Sequence, residues 1–565
     1  MMTKTTTVAA PGKALLAGGY CVLEAPNPGL VFATDSCFHA TISSRPLLKT
    51  QEETQDTIDG SLHHLENSSR FPIDVYSSQF HQVYSYWLFL AERQCENDSR
   101  SVRVEPRHSE TARNPYVEKT LLLAFTYVHE THENLARYIV DQCIDTSTNR
   151  AIAIRLLADN DFYSSLSYLK SHNLPVMPQS VSNLPPFLPC PIDDQGHAII
   201  NKTGLGSSAT LVSSLVGAIL LHFEVVDLSD DEGRRILHNL AQVAHSLIQG
   251  KVGSGFDVSA ALYGSHIYTR FNPAIIQDVL VQLEQDLSHP SDENEHAMSI
   301  THTCAMELVK IVQDKAKVWD STVEALSMPK GLEMMMADVC GGSESPSMAR
   351  KVLKWKRELY SVTETDESKE GGKEDYWNQL LEANLKLKEL FERGSSFEIP
   401  AVMSTRRIAS LDDSPKIDNK GRKDGSTENH KISEEIQSRT IPFLISLRSA
   451  FLQSRSYLKQ IGVLASVPIE PDEQTDLANA TMDVPGVIAA GVPGAGGYDA
   501  LYVIYVKSED SVDKLNTRDK IGRVWEDWCS RVNVKGGRGI VCPLNCKSVG
   551  FGDKHGLHQV ELDWT

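Results

Sequence analysis

The chain has 565 residues and a hydrophobic fraction of 41%, which suits two domains better than one large core. Its formal net charge of −19 argues against nonspecific binding to nucleic acid, and it requires a local cluster of cations wherever a polyanionic substrate binds. Its 10 cysteines are scattered, and no segment approaches the roughly 18 apolar residues of a membrane span, so we expect a cytoplasmic protein that needs neither a membrane nor an obligate protein partner.

The first glycine-rich segment lies close to the N-terminus. Residues 5–9 predict a strand. In residues 10–24, which follow it, Lys13 comes directly after a Pro-Gly pair, which is a turn signal. Gly18 and Gly19 allow a second backbone to approach closely. A plain hairpin that carries a surface lysine is the simpler interpretation, and this segment alone does not exclude it.

Strands, helices and polar connectors alternate through the next part of the chain. The apolar patterns predict strands at 30–43 and 101–106, helices at 115–139 and 233–249, a solvated loop at 46–69 and a proline-rich extended connector at 175–191.

The central glycine-rich segment, residues 202–209, reads Lys-Thr-Gly-Leu-Gly-Ser-Ser-Ala and leads into a helical pattern at 210–223. Two glycines and two serines this close together form a poor strand and a poor helix, but they form a good nest of N–H groups and hydroxyls for an anion. A phosphate at this place would also meet the positive end of the helix dipole. Taken alone, the segment is also compatible with an ordinary capped turn.

The second half of the chain begins with helical patterns and ends with another glycine-rich loop, residues 491–500, which on its own is also compatible with a tight loop without a ligand. The patterns predict helices at 347–359, 375–393, 441–460 and 518–532, strands at 500–506 and 539–542, and flexible insertions at the charged segments 361–373 and 411–433.

The glycine-rich segments together resemble the GHMP kinase superfamily, whose members carry Pro-Gly-Lys, Gly-Leu-Gly-Ser-Ser-Ala and Gly-Ala-Gly-Gly motifs in this order. Residues 250–258, 341–348 and 467–472 extend the resemblance to the phosphomevalonate kinases of the eukaryotic type over nearly the whole chain. The resemblance implies ATP-dependent phosphorylation of 5-phosphomevalonate to 5-diphosphomevalonate in isoprenoid and sterol biosynthesis, with Mg²⁺ as a cofactor.

The resemblance also implies the fold class, α+β, with the two-domain architecture of the GHMP kinases. A ribosomal S5 domain 2-like domain that carries the phosphate loop is expected at residues 1–285. A ferredoxin-like domain is expected at residues 286–565, where the strand, helix and strand patterns of the last part of the chain suit it.

Site residues follow from the same resemblance. Lys13 and Asp257 are implied as the catalytic pair. The ATP phosphates are expected at Lys202, Gly204, Leu205, Gly206, Ser207, Ser208 and Ala209, with the hydroxyl of Ser208 on Mg²⁺. The acceptor is expected at Lys202, Ser254, Gly494, Ala495, Gly496 and Gly497. Members of the superfamily often add a metal-binding glutamate ahead of the aspartate, but residues 245–249 contain no carboxylate, so a second metal ligand is not identified.

Further candidates lie beside these motifs. Lys251 and Arg270 join Lys13 and Lys202 as the cations that an acidic chain needs around polyanionic substrates. The serines of residues 341–348 form a hydroxyl-rich turn that either lines the acceptor pocket or caps a helix.

The usual role of the superfamily aspartate is to remove a proton from a hydroxyl. A phosphate monoester has a second pKa of about 6, so its oxygen is already an anion at neutral pH and needs no base. We therefore expect Asp257 mainly to orient and hold Lys13, which then stabilises the transferring phosphoryl group. On local sequence alone, Asp257 is equally compatible with the N-cap of a helix.

Two other functions stay open. A related kinase that acts on an alcohol, such as mevalonate kinase, would need Asp257 as a true base. A ligand-sensing homologue without activity is a different class, and the presence of Lys13, Ser208 and Asp257 argues against it. The chain has no Gly-x-x-x-x-Gly-Lys-Ser/Thr motif and no protein kinase signature, which excludes both of those enzyme classes.

Overall fold

The computed structural model describes residues 4–46, 70–91, 100–108, 112–140, 150–288, 296–340, 345–363, 375–396, 398–405, 436–508, 515–534, 539–552 and 554–562. Nearly all of the loop predicted at 46–69, and most of the insertions predicted at 361–373 and 411–433, lie outside the described residues and stay predictions.

The strands of the described chain form two sheets. Their bounds are β1 Thr6–Ala17, β2 Gly29–Pro46, β3 Arg70–Ser77, β4 Gln82–Leu90, β5 Arg100–Pro106, β6 Arg150–Ala158, β7 His266–Thr269, β8 Met298–Thr301, β9 Thr322–Ala325, β10 Leu332–Asp338, β11 Val487–Gly491, β12 Ala500–Val506, β13 Cys542–Pro543 and β14 His558–Gln559.

The larger sheet has ten strands in the described chain, in the order β14-β1-β2-β6-β3-β4-β5-β8, with β7 paired to β2 and to β9. Its pairs are antiparallel apart from β3 with β6. The smaller sheet is antiparallel and has the order β11-β12-β10-β13. The α+β class predicted from the sequence is confirmed.

The helices pack on these sheets. Their bounds are α1 Pro115–Thr131, α2 Leu135–Tyr138, α3 Leu166–Ser171, α4 Pro178–Ser182, α5 Ser207–His222, α6 Asp231–Gln249, α7 Phe256–Tyr263, α8 Ala274–Ser288, α9 His302–Gln313, α10 Ser345–Thr363, α11 Tyr376–Gly394, α12 Ile441–Leu464, α13 Asp472–Met482 and α14 Thr517–Val534. None of the described helices combines the length and hydropathy needed for a transmembrane span.

Helix boundaries follow local capping chemistry. The side chain of Asn114 accepts a hydrogen bond from the Tyr116 N–H at the start of α1, and Pro115 stands at the first helical position. The helix predicted at 115–139 ends earlier, at Thr131, and the shorter α2 follows because Asn134 caps a new turn.

The Pro-Gly-Lys segment lies inside β1 rather than in a turn. The pairing of β1 with β2 shifts register between Pro11 and Lys13, and such a bulge accommodates a proline, which cannot donate a ladder hydrogen bond. The segment does belong to a hairpin, since β1 and β2 are consecutive antiparallel strands, but the lysine of the hairpin interpretation is not on the surface, because the Lys13 side chain is half-buried.

One hydrophobic core joins the two sheets. Phe32 of β2 contacts Phe391 of α11, which contacts Phe451 of α12, and Phe451 contacts Tyr502 of β12, with ring centroids 5.3, 6.1 and 6.0 Å apart. The domain boundary at 285/286 stays a prediction. Three strands C-terminal to it, β8, β9 and β14, complete the larger sheet, so the chain crosses between the two halves more than once.

Candidate active site

The central glycine-rich segment forms a loop that leads directly into α5. Gly204 and Gly206 have φ angles of +83° and +81°, which residues with side chains rarely adopt. Gly206 is the N-cap of α5 and offers no capping side chain, so the ordinary capped turn does not form. The start of the loop is held by Thr203, whose hydroxyl donates a hydrogen bond of 2.5 Å to the carbonyl of Asp161.

Lys13 connects the first glycine-rich segment to this loop. Its backbone N–H donates to the Leu205 carbonyl at 3.0 Å, and its Nζ donates to the Gly204 carbonyl at 3.1 Å. A Cβ atom placed on Gly206 would lie 3.1 Å from the Lys13 Cε, so the lysine stem runs along the loop backbone. The ammonium group also lies 5.5 Å from the centre of the Phe256 ring.

Two carboxylates act on this ammonium group. Burial lowers the pKa of Lys13, and the charges of Asp257 and Asp499 oppose that effect by raising it. The direct hydrogen bond of Nζ goes to a backbone carbonyl, so the carboxylates influence Lys13 through space. Their combined field favours the charged form of Lys13 and so opposes the effect of burial on its pKa.

Asp257 is the second residue of α7. The N-cap of that helix is Gly255, with φ of +90°, so the N-cap interpretation of Asp257 was wrong. The carboxylate accepts a hydrogen bond of 3.1 Å from the N–H of Val258 and stays half-buried. Its charge opposes the effect of burial on the pKa of both Lys13 and His245, which places it in one cluster with them.

Ser208 and His245 meet at the start of α5. The Ser208 hydroxyl lies 3.1 Å from Nε2 of His245 on α6, and the side-chain amide nitrogen of Gln249 lies 3.0 Å from the same Nε2. Burial lowers the pKa of His245, while Asp257 opposes the shift. The sequence did not predict a role for this histidine, because the superfamily pattern places a carboxylate, not an imidazole, in this neighbourhood.

The donors present fit a magnesium ion held mainly by its nucleotide. Among the described residues, no group of three or more His, Cys, Asp and Glu side chains is placed to hold a metal. Mg²⁺ typically takes one or two protein oxygens and completes its shell with phosphate oxygens and water. The half-buried hydroxyl of Ser208 at the helix N-terminus is such an oxygen.

The third glycine-rich segment packs against the end of β1. The N–H of Gly494 donates to the Leu15 carbonyl at 2.9 Å, and the hydroxyl of Tyr20 donates to the Ala495 carbonyl at 2.6 Å. A Cβ atom on Gly19 would lie 2.7 Å from the Gly494 oxygen, so the two backbones approach as closely as glycine permits.

The same segment is tied to residues 467–472 and to the central loop. Gly497 donates to the Ile469 carbonyl at 2.8 Å, and a Cβ atom on Gly496 would lie 2.1 Å from that carbonyl oxygen. A Cβ atom on Gly204 would lie 3.6 Å from Cβ of Asp499. The three glycine-rich segments therefore converge around Lys13.

Other predicted residues lie at different depths around this centre. The carbonyl of Ser254 accepts a hydrogen bond of 3.0 Å from the Tyr268 hydroxyl, and the residue is half-buried. Lys202 is exposed, and its Nζ lies 6.0 Å from the centre of the Tyr116 ring. Arg270 donates to the carbonyls of residues 23, 252 and 253, so it holds the loop before α7 in place through its backbone.

Arg350 is a second residue that the sequence interpretation overlooked. It is exposed on α10, and besides burial its charge lowers the pKa of Lys251, which places the two cations near each other. The available signal was its position just after the serine-rich residues 341–348. Ser343 of that turn lies outside the described residues, and α10 begins at Ser345.

A cavity of about 410 Å³ opens beside the central loop. Tyr163, Tyr168, Asn160, Asn201 and Leu188 are among its lining residues. The hydroxyl of Tyr163 interacts with the side chain of Ser207, so the cavity adjoins the first turn of α5.

Comparisons with known proteins identify the family of the chain. A family model of the GHMP kinases N terminal domain matches residues 189–265. Phosphomevalonate kinase erg8 of Aspergillus fumigatus is 31% identical over 528 residues, which cover 90% of this chain and 89% of the relative. The chain belongs to the phosphomevalonate kinase family. The peroxisomal phosphomevalonate kinase of Arabidopsis thaliana is also 31% identical, with 88% of each chain covered.

Solved structures were also compared with this chain. The Streptococcus pneumoniae phosphomevalonate kinase in complex with phosphomevalonate and AMPPNP is 14% identical, with a TM-score of 0.45 and coverage of 93% of this chain and 96% of that one.

Proposed function

We propose that this chain is an ATP-dependent phosphomevalonate kinase, which transfers the γ-phosphate of ATP to (R)-5-phosphomevalonate and gives 5-diphosphomevalonate and ADP. The observation that carries the proposal is the convergence of three glycine-rich segments on the Lys13 ammonium group, which donates to Gly204 at 3.1 Å. The family membership supports the choice of acceptor.

The ATP phosphates bind at the central loop. Backbone N–H groups of residues 204–209 and the positive end of α5 face the triphosphate, and the hydroxyl of Ser208 would hold Mg²⁺. When bound, the metal would neutralise phosphate charge. The cavity beside Tyr163 takes the adenine, because it adjoins Ser207 and offers aromatic and amide side chains to a planar base.

Lys13 stabilises the transferring phosphoryl group. A bond forms between an acceptor phosphate oxygen and the γ-phosphorus, while the bond from that phosphorus to the bridging oxygen breaks and ADP leaves with the electron pair. The acceptor oxygen is already an anion, so no proton has to be removed. Asp257 and Asp499 keep Lys13 protonated against the effect of burial, which lowers its pKa.

The acceptor binds between the third glycine-rich segment and α10. Lys202, Lys251 and Arg350 supply positive charge in a chain whose formal net charge is −19. The backbone of residues 494–497 and the side chain of Ser254 line the remaining faces. These cations would favour an acceptor that carries a phosphate over one that offers only a neutral hydroxyl.

A coupled assay of ADP release with 5-phosphomevalonate and with mevalonate tests the reaction. We expect ADP release with 5-phosphomevalonate and little with mevalonate. Faster release with mevalonate would instead identify a kinase that acts on an alcohol. Binding of ATP without ADP release from either acceptor would identify an inactive ligand-sensing homologue.

The acceptor site has its own test. Arg350→Ala should raise the KM for 5-phosphomevalonate about 10- to 150-fold, because a hydrogen bond to a charged group contributes about 1.5–3 kcal/mol, while the KM for ATP stays unchanged. Lys354→Ala, one turn further along α10 and 72% exposed, is the matched control and should change neither value. Equal effects of both substitutions would argue against a specific contact by Arg350.

The role of Asp257 is tested by a pH profile. If the carboxylate keeps Lys13 charged, Asp257→Asn should move the alkaline limb of kcat to lower pH, and Asp499→Asn should move it in the same direction. If Asp257 were instead a general base, Asp257→Asn would change the acidic limb of kcat and leave the alkaline limb at its original pH. That second outcome would restore the alcohol kinase interpretation.

Location and assembly are part of the proposal. We place the enzyme in the cytoplasm with small-molecule partners only, ATP and 5-phosphomevalonate. One relative carries the name of a peroxisomal enzyme, so fractionation of cells that express the full chain is the direct test.

A further inference from the structure

The side chain of His245 receives two contacts at a single nitrogen. Nε2 lies 3.1 Å from the Ser208 hydroxyl and 3.0 Å from the side-chain amide nitrogen of Gln249, which stands one helical turn further along α6. The histidine is 3% exposed, so these contacts are shielded from solvent.

The amide of Gln249 defines what Nε2 can do. An amide nitrogen is a donor only, so with Gln249 in the orientation that the structure gives it, Nε2 is assigned as the unprotonated acceptor of the imidazole ring. The second partner of that same nitrogen, the Ser208 hydroxyl, then has to donate as well. The hydroxyl proton of Ser208 therefore points into the protein, toward α6.

We infer that His245 is a positioning residue, which holds the proton of the Ser208 hydroxyl and so turns the oxygen lone pairs toward the nucleotide-bound magnesium ion. A hydroxyl has one proton and two acceptor lone pairs, and a proton that points at a cation opposes coordination. The inference rests on the proposed function, because that proposal makes Ser208 the metal-binding residue.

The position also explains how the chain manages without a carboxylate at residues 245–249. A carboxylate there would be a second metal ligand with a negative charge of its own. His245 instead acts through Ser208, and the negative charge in the neighbourhood comes from Asp257, whose field reaches His245.

The experiment measures binding of the non-hydrolysed analogue AMPPNP by calorimetry, with Mg²⁺ and with a chelator in its place. The quantity of interest is the ratio of the two dissociation constants for the full-length protein. His245→Phe and His245→Leu remove the acceptor while they fill the space with different shapes. We expect the magnesium-dependent gain to fall about tenfold, while binding without metal stays unchanged.

Two comparisons separate positioning from packing. His245→Gln, which offers an acceptor oxygen at a similar reach, should restore a large part of the gain. Ser208→Ala should lose the gain as His245→Phe does, and the double variant should lose no more than either single one. Thermal unfolding identifies which of the two apolar variants is folded, and one folded variant is enough.

Three results would overturn the inference. If His245→Phe and His245→Leu weaken binding equally with and without metal, the residue only packs. If Ser208→Ala loses the gain while the His245 variants keep it, the serine is still the ligand but is oriented by something else. If Ser208→Ala keeps the gain, the metal assignment falls and the inference falls with it, whereas the ADP-release assay judges the proposed reaction separately.

Discussion

Gly206 is the position where the smallest substitution should disturb the proposed catalytic lysine. Its φ of +81° is strained for a residue with a side chain, which costs about 1–2 kcal/mol of stability. A Cβ atom there would stand 3.1 Å from Cε, 3.5 Å from Cγ and 3.7 Å from Nζ of Lys13. The first of these distances is shorter than an ordinary van der Waals contact, so the lysine stem has to move by a few tenths of an ångström.

Gly206→Ala should therefore change two quantities. The free energy of unfolding should fall by about 1–2 kcal/mol from the backbone alone. The value of kcat should fall about tenfold or more, because an ammonium group displaced from the transferring phosphoryl group loses part of a contribution of about 2.7–4 kcal/mol. Urea unfolding measures the first quantity, and the coupled ADP-release assay with 5-phosphomevalonate measures the second.

Gly196→Ala is the matched control. Gly196 has a closely similar φ of +84°, and nothing lies within 4 Å of a Cβ atom built on it. Both variants should lose similar stability, but only Gly206→Ala should lose kcat. If both keep full activity, or if both lose it to the same extent, Lys13 is not held against the central loop in the way that its contact with Gly204 indicates.

Three further predictions follow from other contacts. Lys13→Met should lower kcat about 10²–10³-fold with little change in the dissociation constant of ATP, as measured by single-turnover kinetics and calorimetry, and a comparable loss in both would argue for ground-state binding instead. Tyr20→Phe removes the 2.6 Å hydrogen bond to the third glycine-rich segment, so it should cost about 1 kcal/mol of stability and raise the KM for 5-phosphomevalonate more than that for ATP in steady-state assays. Burial lowers the pKa of His222 to about 3 and those of His238 and His266 to about 4, below the unfolded value near 6.5, so the unfolded chain binds more protons as the pH falls below about 6.5. Each of these histidines should then lower the free energy of unfolding by about 2 kcal/mol between pH 7 and pH 5. Urea unfolding at the two pH values measures this loss, and its absence would show that the three histidines titrate normally.

Much of the architecture was predictable because apolar periodicity and capping residues act locally. The strand at 500–506 was predicted with the bounds that the structure gives to β12, and α6 extends the predicted helix by only two residues. Prediction from local sequence failed where the conformation of a segment depends on the strand with which it pairs. The Pro-Gly-Lys segment has the composition of a turn, but ladder bonds to β2 on both sides of a bulge hold it extended.

The residues of the candidate site were likewise only partly predictable from the sequence. The glycine-rich motifs were visible in the sequence because glycine, serine and lysine in these patterns suit phosphate binding. The proposed roles of His245 and Arg350 were not visible, because each depends on a neighbour far along the chain. The pair Ser208 and His245 is 37 residues apart in sequence, and no spacing rule connects two helices that pack side by side.

Lys13 works in an environment that opposes its charge, and the fold supplies the compensation from two separate halves of the chain. Asp257 comes from α7 beside the larger sheet, and Asp499 comes from the residue before β12 of the smaller sheet. The N–H of Val339, which follows β10, donates to the Asp499 carbonyl at 3.2 Å, so the position of that carboxylate depends on the smaller sheet. The pKa of Lys13 should therefore depend on how the two sheets dock, and we expect a substitution that separates them to move the alkaline limb of kcat before it unfolds the protein.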